Sequence, residues 1–159
     1  MSMYGSSMNP RRRVLLLGAA ALGSQALSAV AAPRTPIEVW KDPNCGCCQD
    51  WITHLEGHGF SARVMDEGNN AARSRLGLPA KYGSCHTGLV QGYVIEGHVP
   101  AADIKRLLKE RPQALGLAVP AMPVGSPGMD GAAYGGRRDP YQVLLVRKNG
   151  SAQVFSSYS

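Results

Sequence analysis

The chain has 159 residues, 17 Lys and Arg against 11 Asp and Glu, a formal net charge of +6, and four cysteines. A length of this order suits one compact domain. The basic residues form no stripe interleaved with aromatics, which leaves nucleic-acid binding without support.

The first stretch, MSMYGSSMNPRRRVLLLGAAALGSQALSAVAAPRTP, carries Arg11, Arg12 and Arg13, then an apolar run from Val14 to Leu22, then small residues near position 31. That is the three-part pattern of a cleavable export signal, too short and too rich in Gly and Ala for a good membrane span. Ala29 and Ala31 form the small pair, so cleavage is expected after Ala31, leaving 32–159 as a single domain. The arginines fit a twin-arginine signal as well as a general-secretion one. Three of the basic residues leave with the signal and no acid does, so the net charge falls from +6 to +3. The expected location is the periplasm, with no stable membrane span after cleavage. In an exported protein four cysteines can form disulfides.

TPIEVWKDP, from Thr35, reads as a buried strand built on Ile37, Val39 and Trp40 and ended by Asp42-Pro43. Lys41 and Asp42 can bias the charge of the cysteine cluster or simply form an exposed strand end. A helix follows, because Cys48, Trp51, Ile52 and Leu55 fall at i, i+3, i+4 and i+7, and GHG at 57–59 stops it. FSARVMDE alternates at Phe60, Ala62 and Val64 and predicts a second strand. NNAARSRLGL predicts a short helix closed by Gly77 and Pro79. CHTGLVQGYVIEGHVP predicts two short strands turning near Gln91-Gly92. Pro100 opens a helix with a stripe of Ile104, Leu107 and Leu108, ending before Pro112. The segment 116–140 is rich in Gly and Pro without a period and is expected as a long loop. YQVLLVRKNGSAQVFSSY predicts a hairpin with Asn149-Gly150 at its tip.

A strand running into a helix whose first turn holds Cys-x-x-Cys, followed later by a β-hairpin and a helix, is the layout of a thioredoxin-like α/β fold. The expectation is a central mixed sheet flanked by helices, with the Gly/Pro-rich loop and a C-terminal β-hairpin.

Cys45-Gly46-Cys47-Cys48 is a Cys-x-x-Cys with a third cysteine inside it. Unpaired N–H groups and the helix dipole stabilise thiolates at a helix start. That favours disulfide exchange and soft-metal binding equally. Cys85 tilts the balance. Counting back from the turn at Gly92 places Cys85-His86 where a thioredoxin-like fold normally carries a cis-proline, and a cysteine there offers a fourth thiolate. Four thiolates suit a soft ion, either Cu(I) or tetrahedral Zn(II). Zinc sites usually take their cysteines as two close pairs, whereas three thiols in one turn can bridge metals. The spacing therefore favours Cu(I), with room for more than one ion.

NCGCCQDW, GSCHTGLVQGYVIEGHVPAADIKRLL and GLAVPAMPVGSPGMD together resemble the CopG-type copper-resistance family, thioredoxin-like proteins of the bacterial envelope distinct from the ribbon-helix-helix repressor of that name. The similarity runs from about Ile37 to Tyr158, with no departure at the four cysteines. The resemblance implies a copper site made by Cys45, Cys47, Cys48 and Cys85 and a role in copper handling, including interconversion of Cu(I) and Cu(II). It would make the protein a copper oxidoreductase that exchanges copper with another periplasmic copper protein.

Met122 and Met129 bracket PVGSPG with soft thioethers, which can act as auxiliary ligands or simply fill gaps. His86 can bind copper, tune Cys85 or hydrogen-bond the backbone. His54 and His58 have a metal-holding i, i+4 spacing but no carboxylate partner, and read as a solvated helix end. His98 reads as a helix-start residue without chemistry, and Trp51 as core, with shielding of the site from water as the alternative. Two other functions stay open. A thiol–disulfide oxidoreductase would use Cys45 as attacking thiolate and Cys48 as resolving thiol, and a binding module stapled by disulfides would hold neither free thiols nor metal.

Overall fold

A computed structural model of the chain describes residues 33–159. The expected export signal, its twin-arginine motif and its cleavage site lie outside the described residues. Among the described residues no helix is long and apolar enough to cross a membrane.

The elements run β1 (Thr35–Lys41), α1 (Gly46–Gly57), β2 (Phe60–Met65), α2 (Asn70–Arg75), β3 (His86–Val90), β4 (Tyr93–Glu96), α3 (Ala101–Glu110), β5 (Gly116–Ala118), β6 (Tyr141–Val146) and β7 (Ala152–Tyr158). The fold is mixed α/β. One seven-stranded sheet has the order β2-β1-β3-β4-β5-β6-β7. β1 pairs with β2, and β4 with β5, in parallel; the other neighbours are antiparallel.

Each face of the sheet carries a packed cluster, and the period of two in the strands sorts their side chains. Ile37, Val39, Ile95, Leu117 and Leu145 join Trp51, Ile52 and Leu55 of α1 and Ile104 and Leu107 of α3 in the main core. Their alternates Val94, Ala118 and Val146 face the other way and pack with Leu78 and Tyr82 in a smaller cluster. The α1 stripe read from spacing, Cys48, Trp51, Ile52 and Leu55, is the buried face of that helix. Its end is also where expected, with Gly59 at φ +89°.

Two expectations need correction. The segment after residue 115 is not all loop, because Gly116–Ala118 forms β5 between β4 and β6. Three residues are too few for alternation to show, and both neighbours of this strand are supplied from far along the chain. A single 3₁₀ turn, Ala132–Tyr134, also interrupts the loop. Secondly, Lys41 is buried. Its Nζ pairs with Asp66 at 2.7 Å and donates to the Asp42 carbonyl at 3.1 Å. The C-terminal hairpin closes at Asn149-Gly150 as its sequence requires, with Gly150 at φ +80°.

Candidate metal centre

The chain leaves β1 through a tight turn in which the Asn44 N–H donates to Asp42 Oδ1 at 2.8 Å and the Cys45 N–H to the Asp42 carbonyl at 3.1 Å. Asp42 thus holds the turn. Cys45 is the N-cap of α1, and Cys47 and Cys48 occupy its first turn. Cys45 and Cys48 form a disulfide, while Cys47 and Cys85 are free thiols. The Cys47 sulfur lies 3.6 Å from that of Cys45, and the Cys48 sulfur 3.6 Å from the Cys85 carbonyl.

Cys85 enters from the other side, just before β3. The sulfurs of Cys45, Cys47, Cys48 and Cys85 all lie within 4.8 Å of one another. Cys48 is fully buried and the other three are half-buried, so the cluster has one closed side and one accessible side. Burial, then the neighbouring Cys47 sulfur, pushes the Cys85 thiol up to about 12, against the opposing Ser84 hydroxyl. Cys85 without a metal is therefore protonated near neutrality, and a cation binding there must displace the proton.

Behind Cys85 stand two buried histidines. His86 Nδ1 lies 3.4 Å from the Cys85 sulfur and His98 Nε2 lies 3.2 Å from it, and the three ligand atoms are within 4.8 Å of one another. His98 Nδ1 is 2.8 Å from the Pro127 carbonyl, which can only accept. Nδ1 therefore carries the proton and Nε2 turns its lone pair towards Cys85. Burial lowers the pKa of both rings, and for His86 the nearby His98 adds to the effect. His86 Nε2 is buried and has no hydrogen-bond partner among the described residues. The His86 ring lies 4.2 Å from the Trp51 ring, whose Nε1 donates to the Val99 carbonyl at 2.9 Å. Trp51 is thus both core and the back wall of the site.

The 125–129 loop closes against the first turn of α1. Gly128 has φ +86°, and a Cβ there would lie 2.6 Å from the Cys47 carbonyl oxygen and 2.7 Å from the Trp51 nitrogen. Only glycine fits this approach. The same loop carries the Pro127 carbonyl that fixes His98. Met129 is buried in it and accepts a hydrogen bond from the Tyr134 hydroxyl at 3.2 Å. Met122 is 47% exposed and lines an open cleft of about 760 Å³ with Pro120, Pro123, Tyr141 and Tyr158. His54 Nε2 accepts the Ala101 N–H at 3.2 Å at the start of α3, and His58 Nδ1 meets the His54 carbonyl at 2.7 Å. Those two rings are structural.

His98 is the residue that the sequence reading assigned to a helix start. Its role was nevertheless open to arithmetic. The β3–β4 register pairs Thr87 with Glu96 and Val90 with Tyr93, and continuing it two steps sets Cys85 opposite His98.

A family model described as a protein of unknown function, DUF411, matches residues 82–129, the stretch holding Cys85, His86 and His98. Two solved structures of copper resistance protein CopG are similar to the chain. Form 1 is 51% identical, with a TM-score of 0.72, over 79% of this chain and 98% of that one. Form 2 is 50% identical, with a TM-score of 0.73, over 79% and 99%. No curated protein matches the chain.

Proposed function

The chain belongs to the DUF411 family of copper resistance protein CopG, and on that premise we propose that it binds copper as Cu(I) through Cys45, Cys47, Cys48 and Cys85. The supporting observation is the convergence of those four sulfurs within 4.8 Å. Soft thiolates favour Cu(I) over harder divalent ions. We read the strand–helix start and the Cys85 loop as a thioredoxin-like arrangement in which a ligand stands at the usual cis-proline position. Cys85 also belongs to the group with His86 and His98, so one thiolate can bridge two ions, with the histidine nitrogens completing the second.

Copper here is cargo or substrate. With Cys45 and Cys48 reduced, all four thiols are available. Oxidation of that pair releases two electrons, so two Cu(II) become two Cu(I) as two thiols become one disulfide and two protons leave. This chemistry supports a copper oxidoreductase that passes copper to another copper protein. Anaerobic titration of reduced protein with Cu(I) against a chromogenic chelator tests the site. An affinity unchanged in the Cys47→Ser/Cys85→Ser protein refutes it.

The Cys45–Cys48 disulfide also supports a second reading, thiol–disulfide exchange with Cys45 attacking. That activity would persist without metal and without Cys47 and Cys85, whereas copper binding would not. Export to the periplasm with cleavage after Ala31 is part of the proposal. N-terminal sequencing of protein from fractionated cells checks it, and a mature chain that retains Arg11–Arg13 opposes it.

A further inference from the structure

Cys85 lies one residue outside β3, just past the last hairpin bond, which the Gly97 N–H donates to the His86 carbonyl at 3.0 Å. The β1–β3 ladder reaches only as far as Lys41 opposite His86, and β3–β4 only as far as Thr87 opposite Glu96. Beyond the end of the ladder, the N–H and the carbonyl of the preceding residue, Ser84, are both engaged by side chains. The Ser84 N–H donates to Glu96 Oε1 at 2.7 Å. The Ser84 carbonyl accepts from Arg73 Nη2 at 2.6 Å and from Asn69 Nδ2 at 3.1 Å. Arg73 Nε closes the ring on Glu96 Oε1 at 2.7 Å, and the Thr87 hydroxyl donates to Glu96 Oε2 at 2.6 Å. The Ser84 hydroxyl donates to the Ala121 carbonyl. Gly97, at φ +69°, lies so close beneath that a Cβ there would come within 2.6 Å of Ser84 Oγ.

Glu96 is fully buried and Arg73 nearly so. A buried carboxylate is costly to keep unless paired and hydrogen-bonded. Burial raises the Glu96 pKa, while Thr87, Ser84 and Arg73 each oppose the rise. The core needs no charge at this position for packing, since Val94 and Ile95 beside it are apolar.

We infer that Glu96 and Arg73 are positioning residues for the metal centre: their ion pair grips the N–H and carbonyl of Ser84 and so fixes where the Cys85 sulfur stands relative to Cys47 and Cys48. The inference rests on the copper reading for its consequence, but the grip itself is testable without copper. Partners outside the ligand shell typically change metal affinity about 10- to 100-fold when removed.

The test compares Glu96→Ala, Glu96→Gln and Arg73→Lys with Leu107→Ala, a core truncation in α3 that touches none of these groups. Gln keeps an acceptor for the Ser84 N–H, and Lys keeps the charge but loses the fork onto the Ser84 carbonyl. In a Cys47→Ser background with the Cys45–Cys48 disulfide intact, Cys85 is the sole free thiol, and its alkylation by iodoacetamide is followed by mass spectrometry. The alkylation rate is expected to rise about fivefold or more in Glu96→Ala and Arg73→Lys, through local opening once a buried partner is lost, to be largely restored in Glu96→Gln and to be unchanged in Leu107→Ala. In the full-cysteine reduced protein, Cu(I) affinity falls about tenfold or more in the same order. If Glu96→Ala does not fold, Arg73→Lys decides alone. Wild-type rates in Arg73→Lys, or an equal rise in Leu107→Ala, overturn the inference. If the wild type takes up no Cu(I), the copper reading falls and the alkylation rates still decide the grip.

Discussion

His98 Nε2 stands 3.2 Å from the Cys85 sulfur, with its ring fixed by a 2.8 Å hydrogen bond from Nδ1 to the Pro127 carbonyl. The pair joins two segments, the loop before β3 and the stretch after β4, that the sheet brings together across a hairpin. A histidine oriented through its second nitrogen by a carbonyl is the arrangement that metal-ligating imidazoles usually show.

Replacing His98 by Ala should therefore weaken Cu(I) binding about 10- to 100-fold while leaving the four thiols countable. A competition titration measures it. An affinity equal to wild type would mean that His98 serves only as a buried hydrogen-bond partner.

Trp51 is fully buried, donates to Val99 and backs the His86 ring. Trp51→Ala should cost about 3–5 kcal/mol by denaturant unfolding, and Trp51→Phe clearly less, because the ring volume remains. A loss below about 1 kcal/mol in the alanine variant would contradict this placement.

Gly128→Ala places a side chain at φ +86° and 2.6 Å from the Cys47 carbonyl. The loop must retreat from α1, carrying the Pro127 carbonyl with it. We expect a stability loss of about 1–3 kcal/mol and weaker copper binding, whereas Gly131→Ala, with open space around it, should behave as wild type. Equal behaviour of the two variants in thermal unfolding would refute the close approach.

The metal-free protein should lose stability in mild acid. Burial, then His58, lowers the His54 pKa below its ordinary 6.5, and its neutral Nε2 accepts the Ala101 N–H. A folded-state pKa below the unfolded one means that this contribution is complete above about 6.5 and is lost as the pH falls through the folded value. His86 and His98 act in the same direction. Urea midpoints at pH 7.5 and 5.5 should fall further apart in wild type than in His54→Gln. Equal spacing in both proteins would remove His54 from the explanation.

Much of this could be read from the chain because local signals were strong. The α1 stripe from Cys48 to Leu55, the Gln91-Gly92 turn and the Asn149-Gly150 hairpin are each set by neighbours in sequence. β5 was hidden because three residues carry no period, and its partners in β4 and β6 are fixed only by the assembled sheet. Lys41 looked exposed because its partner Asp66 arrives from the end of β2. At the site, the cysteine motif announced itself, and Cys85 followed from the position of one turn. His98 needed the hairpin register, and the Glu96–Arg73 pair combines β4 with α2, whose packing no spacing reveals.

X-ray absorption at the copper edge of protein loaded anaerobically with one equivalent of Cu(I) tests the central claim most directly. Binding by Cys45, Cys47, Cys48 and Cys85 predicts a Cu(I) edge and a first shell dominated by sulfur, with sulfur lost in Cys85→Ser. A first shell of nitrogen and oxygen, or a spectrum indifferent to Cys85→Ser, would contradict it.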